Sequence, residues 1–268
     1  MKQFIIENAP GKDGVIRLKD GDYRYLARVR RLAVGEVFPA RLPDGEQTLV
    51  QVVSIENGVL TGKCIAEKTA GKREDNFPAI ILFQALPKSG KMDLIARQAA
   101  EGGITEIVPF ISEFSVAKAG GEKLPRWRRI IKEARQQSGS ATETSICQPM
   151  KITEVFKYWE EQKKSAGGAL GLLFHHVSLS ETNKGLEQKS LHSYLISSPR
   201  IVALAVGPEG GFSGKEVELF LENGFKPFTI GNTVLRTETA ALYCAAAVRI
   251  LLLERDSWEL KQKKADRA

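Results

Sequence analysis

From residue 79 onward the chain repeats one pattern, a short apolar run followed by a longer stretch of helical period, and this alternation restricts the fold more than any other feature. The short runs fall at 79–86, 107–110, 170–174, 201–206 and 227–230, and the helical stretches at 92–101, 124–137, 214–223 and 237–254. Strands that alternate with helices are laid parallel, because each return to the same end of a sheet needs a crossover. The pattern predicts an α/β domain with a mainly parallel sheet over 79–258.

Residues 1–70 read differently. Short β-type runs at 4–6, 15–18, 48–53 and 59–65 are separated by turn signals such as Pro43-Asp44-Gly45 and Glu56-Asn57-Gly58, with one helical segment from Tyr23 to Leu32. That spacing suits a small β-barrel carrying a helix. The polar stretch ending at Pro78 lacks any apolar period, so 71–78 is expected to be an interdomain linker. A polar connection is expected at 178–200, and a solvated polar tail over 259–268.

The formal charge of +7 favours a polyanionic partner, since clustered Lys and Arg displace counterions from phosphates. Cys64, Cys147 and Cys244 are odd in number and far apart, which argues for buried thiols in a reducing compartment rather than a disulfide framework. The N-terminus turns polar too early for a signal peptide, and the apolar stretch 242–253 is too short to span a bilayer, so a cytoplasmic protein is expected. His175-His176 is followed only by His192 and has no nearby Cys, so no metal is expected.

Two loops stand out as places for chemistry. The run Ile201–Val206 leads into Gly207-Pro-Glu-Gly-Gly-Phe-Ser213, and ligands of open α/β sheets bind outside the carboxyl ends of strands, where glycines admit close approach. A phosphate-binding P-loop ending at Gly214-Lys215 would need Gly at 209 and Ser or Thr at 216, and both positions are Glu. The second loop reads Gly231-Asn-Thr-Val-Leu-Arg-Thr-Glu-Thr-Ala240. Thr237 is expected to cap the following helix, with Glu238 in its first turn. Arg236 is a cation at the end of the helix dipole that disfavours it, which an anionic neighbour would explain.

A basic helix, Lys123-Leu-Pro-Arg-Trp-Arg-Arg-Ile-Ile-Lys-Glu-Ala-Arg135, places Arg128, Lys132 and Arg135 on one face. Together with Arg126, Arg129, Lys88, Lys91 and Arg97, it makes a candidate RNA-facing surface, although a solvated charged face is the plainer account.

The segments Lys88-Ser-Gly-Lys-Met-Asp-Leu-Ile-Ala-Arg-Gln-Ala-Ala-Glu101, Gly207–Ser213 and Ile230–Ala240 together resemble the ribosomal small subunit methyltransferase E family, over nearly the whole chain. That family methylates N3 of a uridine in 16S ribosomal RNA. The resemblance implies a SPOUT-type trefoil-knotted methyltransferase domain, a PUA-like N-terminal RNA-binding barrel, a homodimer, and S-adenosylmethionine held against Phe174, His175, Gly207, Gly210, Gly211, Ile230, Gly231, Leu235, Arg236, Thr237 and Ala240. Departures fall elsewhere: the family's usual Ser-Glu-Arg-Ser is Ser112-Glu-Phe-Ser115, and its usual Glu-Gln-Ser/Cys-Gly-Arg is Gln136-Gln-Ser-Gly-Ser140.

Methylating a uridine N3 requires loss of its proton and stabilisation of charge spreading onto O2 and O4. Arg236 is the candidate for charge stabilisation, with Glu209 and Glu238 as candidate bases. A non-catalytic RNA-binding protein of the same fold, and methylation of a different RNA, remain the alternatives at this point.

Overall fold

The computed structural model describes residues 2–65, 77–116, 123–175, 189–229, 231 and 233–265, with side chains up to 254. It divides into two compact units, one made of Met1–Arg73 with Lys132–Ala141 and the other of Glu74–Ile131 with Thr142–Ala268.

In the first unit, strands β1 (Phe4–Ile5), β2 (Val15–Leu18), β3 (Val37–Arg41), β4 (Gln47–Glu56) and β5 (Val59–Cys64) form one sheet in the order β1-β3-β4-β5-β2. Only the β1/β3 pair is parallel. In β4 buried and exposed residues alternate through Thr48–Val53, the signature of a sheet covered on one face. The buried face supplies a core of Phe4, Ile16, Leu26, Phe38, Val50 and Leu60. Gly62 is obligatory here, because a Cβ on it would lie 2.5 Å from Val50 Cγ1.

The helical segment expected from Tyr23 begins earlier and winds wider. Helix α1 (Asp20–Tyr23) passes directly into a π-helical stretch, Arg24–Val29. Residues Lys132–Ala141 close onto this unit through a buried glutamine pair. Gln136 Oε1 accepts the Ile5 N–H at 3.1 Å, and Gln3 Nε2 donates to the Arg135 and Ser140 carbonyls, both at 3.0 Å.

The second unit carries β6 (Ala79–Ala85), helix α2 (Lys91–Glu101), β7 (Glu106–Ile111), the first part of α3 (Leu124–Ser138), whose residues from Lys132 belong to the first unit, β8 (Ser145–Ile146), β9 (Met150–Lys151) and α4 (Ile152–Ala166). It continues with β10 (Ala169–Phe174), α5 (Leu191–Leu195), β11 (Ile201–Val206), α6 (Gly214–Glu222), β12 (Phe225–Phe228) and α7 (Thr237–Ala265). The sheet runs β12-β10-β11-β6-β7-β8, with β9 beside β7, and every pairing is parallel. The predicted parallel α/β sheet is therefore present. Its central strand β6 is buried from Ile80 to Ala85, as a strand covered on both faces must be.

Several features of this unit depart from the sequence reading. Helix α4 was not expected; Glu154 accepts the Lys151 N–H at 2.7 Å at its start, and Gly167, in the left-handed region at φ 65°, ends it. Strand β12 lies two residues earlier than the predicted run, and α7 continues through the expected tail to Ala265. Nothing after Glu254 breaks a helix: the residues are mostly Glu, Lys, Gln, Leu and Ala, with no Gly or Pro.

Strand order reverses beside β6. The chain leaves β6 for β7 on one side, then places β11 on the other side with β10 and β12 beyond it. Such a reversal opens a crevice at the carboxyl ends of the strands.

Candidate active site

At the carboxyl ends of β10, β11 and β12 lies a cavity of about 220 Å³ with an open side. Its walls come from the ends of three neighbouring strands and from both loops singled out in the sequence. Phe174 and His175 close β10, Val206 and the segment 207–212 leave β11, and Phe228 ends β12. Gly231, Thr233, Val234 and Leu235 come from the second loop, and Thr237, Ala240 and Cys244 from the first turns of α7. Phe174 and Phe228 are register partners across β10 and β12, and their rings meet edge to face at 5.4 Å.

Of the residues expected to hold a cofactor, Phe174, His175, Gly207, Gly210, Gly211, Gly231, Leu235, Thr237 and Ala240 line this one cavity. Ile230 lies outside the described residues. Arg236 does not line the wall and is exposed. Sequence reasoning missed Val206, Phe212, Phe228, Thr233, Val234 and Cys244. Cys244 was legible, since Thr237, Ala240 and Cys244 recur at helical spacing and so share a face. Burial drives the Cys244 thiol well above its ordinary pKa, so it serves as wall and not as a nucleophile.

The first loop folds back on itself tightly. A Cβ on Gly207 would lie 3.1 to 3.4 Å from backbone atoms of Gly211 and Phe212, and Gly211 has a φ of 72°. Ser213 and Glu216 form a capping box that opens α6, so the loop ends on a fixed helix terminus.

Thr237 corrects the sequence reading. The Arg236 carbonyl accepts the Ala240 N–H at 2.7 Å, which puts Arg236 at the N-cap, and the Thr237 hydroxyl instead donates to the Gly207 carbonyl at 2.6 Å. Gln84 Nε2, fully buried at the end of β6, donates to the same hydroxyl at 3.0 Å. The preference of threonine for helix starts masked its use as a bridge between the two loops.

The acidic candidates share one cation. Lys91 Nζ lies 3.0 Å from Glu209 Oε1 and 3.3 Å from Glu238 Oε2, and Glu209 also accepts the Lys88 N–H at 3.1 and 3.2 Å. Burial raises the Glu209 pKa, but the bonds from Lys91 and Lys88 outweigh it and hold the carboxyl below its usual value. The Lys91 ammonium is pushed up, chiefly by its bond to Glu209. A carboxylate held this way is a weak proton acceptor.

The basic candidates divide by what they touch. Lys88, Arg97 and Arg128 are exposed, and Arg129 is exposed while keeping an interaction within the protein. Lys91 is committed to the two glutamates, and Arg126 makes two bonds to Asp93 Oδ2, at 2.9 and 2.6 Å. Lys132 sits between Glu7 at 2.8 Å and Asp22 at 3.2 Å, over the Phe4 ring, so it neutralises carboxylates of its own unit. Arg135 offers its carbonyl to Gln3. The predicted basic face on α3 is thus interrupted at Lys132, because local carboxylates far away in sequence reach it first. Among the described residues no cluster of His, Cys, Asp and Glu has the makings of a metal site, and no helix is long and apolar enough to cross a membrane.

A family model described as an RNA methyltransferase domain matches residues 73–249. The chain is 28% identical to Ribosomal RNA small subunit methyltransferase E of Synechocystis sp., an alignment covering 90% of this chain and 74% of that protein. It is also 28% identical to the protein of the same name from Aquifex aeolicus, over 90% of this chain and 96% of the relative. Among solved structures, a putative methyltransferase from Legionella pneumophila in complex with the bound cofactor SAM superposes with a TM-score of 0.76 at 26% identity, over 93% of this chain and 97% of that one.

Proposed function

Because this chain belongs to the RNA methyltransferase family, we propose that it transfers the methyl group of S-adenosylmethionine to N3 of a uridine in the 16S ribosomal RNA of the small subunit. One observation carries the reading: the two loops picked out in the sequence converge on a single cavity at the carboxyl ends of β10, β11 and β12.

The cavity suits that cofactor. Phe174, Phe228 and Leu235 offer apolar surface for a flat base, and the loop 207–211 and Thr233 offer polar edges for ribose and amino-acid groups. When bound, S-adenosylmethionine supplies an electrophilic methyl group on a sulfonium. The chain's own residues then have three tasks: to align the nucleophile, to exclude water, and to compensate charge.

Arg236, exposed at the N-cap of α7 beside the cavity wall, is assigned to the charge that develops on the uridine carbonyl oxygens as N3 loses its proton. Glu209 and Glu238 were the candidate bases. Their shared contact with Lys91 favours a supporting role, in which they anchor the first loop to the start of α7. The exposed Lys88, Arg97, Arg128 and Arg129 are assigned to RNA phosphates. The remaining parts of the reading are a PUA-like RNA-binding barrel over 1–70, a trefoil knot in the domain 79–258, a homodimer and a cytoplasmic location. They rest on the family resemblance.

The test is transfer of labelled methyl from S-adenosylmethionine by the purified protein to 30S subunits from a strain lacking the endogenous enzyme, followed by nucleoside analysis. N3-methyluridine is expected. Another methylated nucleoside would redirect the specificity, cofactor binding without transfer would point to a different RNA target, and failure to bind the cofactor would favour a non-catalytic RNA-binding role.

A further inference from the structure

The turn after β7 leaves a large apolar ring uncovered beside the cavity. Phe114 is 45% exposed, and it belongs to a segment, Ser112–Ser115, that is otherwise tied down. The Ser115 N–H donates to the Ser112 carbonyl at 3.0 Å, and the Ser112 N–H to Ser115 Oγ at 3.2 Å. Glu216, itself only 5% exposed, accepts the Glu113 N–H at 2.9 Å and the Ser112 hydroxyl at 3.1 Å while also closing the capping box of α6.

The turn is therefore fixed to the same helix start that ends the glycine-rich loop, and Phe114 is held against that loop. A Cβ on Gly210, a cavity-lining residue, would lie 2.9 Å from Phe114 Cβ. The exposed part of the ring stays in contact with water, and covering it by another apolar or aromatic surface would be favourable. The Lys88 N–H holds Glu209, the immediate neighbour of Gly210, so the loop that Phe114 packs against is itself anchored.

We propose that Phe114 is the platform on which a nucleobase of the RNA substrate stacks as the strand enters the site. A base taken out of its own stack needs a replacement surface, and an aromatic ring supplies one without regard to hydrogen-bond pattern. The inference rests on the methyltransferase reading for the identity of the strand. It assigns to Phe114 RNA binding, not methyl transfer as such.

The experiment uses the full chain, small-subunit RNA from a strain lacking the endogenous enzyme, and three readouts: RNA affinity with S-adenosylhomocysteine present, kcat/KM for RNA, and affinity for S-adenosylmethionine. Phe114→Ala is expected to weaken RNA binding and kcat/KM by about 10-fold to 100-fold, the usual worth of one base stacked on an aromatic, with cofactor affinity unchanged. Phe114→Trp keeps both, and Phe114→Leu, apolar but not aromatic, resembles the alanine variant. Unchanged RNA affinity in Phe114→Ala, full function in Phe114→Leu, or a parallel loss of cofactor affinity overturns the proposal. If the wild type binds RNA through Phe114 yet transfers no methyl, the enzymatic reading fails and the platform stands. If it methylates and Phe114→Ala does so equally well, the platform alone fails.

Discussion

The Thr237 hydroxyl donates to the Gly207 carbonyl at 2.6 Å, across 30 residues of sequence, and so joins the two loops that build the cavity. Replacing it by the isosteric valine removes that donor and the acceptor for Gln84 Nε2 while keeping the volume. Thr237 is 4% exposed and Gln84 fully buried, so water cannot easily replace either bond. Thr237→Val is expected to cost about 1–3 kcal/mol of stability and to weaken cofactor binding, as read by urea unfolding and titration calorimetry. Thr237→Ser, which retains the hydroxyl, is expected to stay close to wild type in both.

Lys91, Glu209 and Glu238 set a pH window for the same region. The Glu209 carboxyl is held below its usual value of 4.5, so its contribution is present above that value and is lost as pH falls through the lowered one. The Lys91 pKa is raised above 10.5, so its contribution is full below 10.5 and is lost as pH rises through the raised value. The stability that this cluster contributes, read by thermal unfolding of wild type and Lys91→Met against pH, is expected to be flat between these limits. Lys91→Met removes the common partner of two carboxylates, and it is expected to weaken cofactor binding most at low salt and to shift the acid limb upward.

Gly171 shows why a strand position inside the parallel sheet is restricted. A Cβ there would sit 2.9 to 3.1 Å from three atoms of the Phe225 ring, which is 1% exposed and packed among Phe83, Trp159 and Phe220. The ring has no room to withdraw. Gly171→Ala is expected to destabilise the second unit by about 1–3 kcal/mol, the usual cost of overpacking, and Phe225→Leu in the same chain is expected to recover part of it. Thermal unfolding of the two variants checks both signs.

The parallel sheet was legible because runs such as Ile201–Val206 carry no polar residue and end on glycine, so period and punctuation agree. The site loops were legible for the same reason. Helix α4 was hidden by its composition: Val155, Phe156 and Trp159 are its only buried side chains, and the lysines, glutamates and glutamine between them read as a surface stretch. Strand β3 was hidden by Pro39, which pairs opposite Leu49 although proline usually argues against a strand interior. Lys132 looked like a substrate contact from sequence alone, and Gln136 like a departure from the family's motif. Their partners Glu7, Asp22, Gln3 and Ile5 are more than a hundred residues away in the chain, where no local pattern registers them.

Glu216 links fold and site through a single buried carboxylate. It accepts from Ser112, Glu113 and Ser213, and so fixes both the turn after β7 and the end of the glycine-rich loop. Glu216→Ala strands three donors and removes a helix cap, at an expected cost of about 2–4 kcal/mol. Glu216→Gln keeps the shape but offers a single acceptor oxygen, so it is expected to lose less. Chemical denaturation orders the two variants, and an alanine variant as stable as wild type would remove the clamp from the account.

Arg236 is the sharpest test of the chemistry, because the fold does not need it. Its side chain is exposed and forms no ion pair among the described residues, while its backbone alone starts α7. A guanidinium left at the positive end of a helix costs stability unless an anion comes to it. Arg236→Ala is therefore expected to leave stability unchanged or raise it slightly, to leave cofactor affinity nearly intact, and to lower the rate of methyl transfer by about 10²–10³-fold, the scale of losing one charge-stabilising donor. Single-turnover transfer to small-subunit RNA measures the rate, and thermal unfolding measures the stability. A variant that is destabilised, or one that transfers methyl at the wild-type rate, would return Arg236 to the structural residues and leave the charge at the uridine to be met elsewhere.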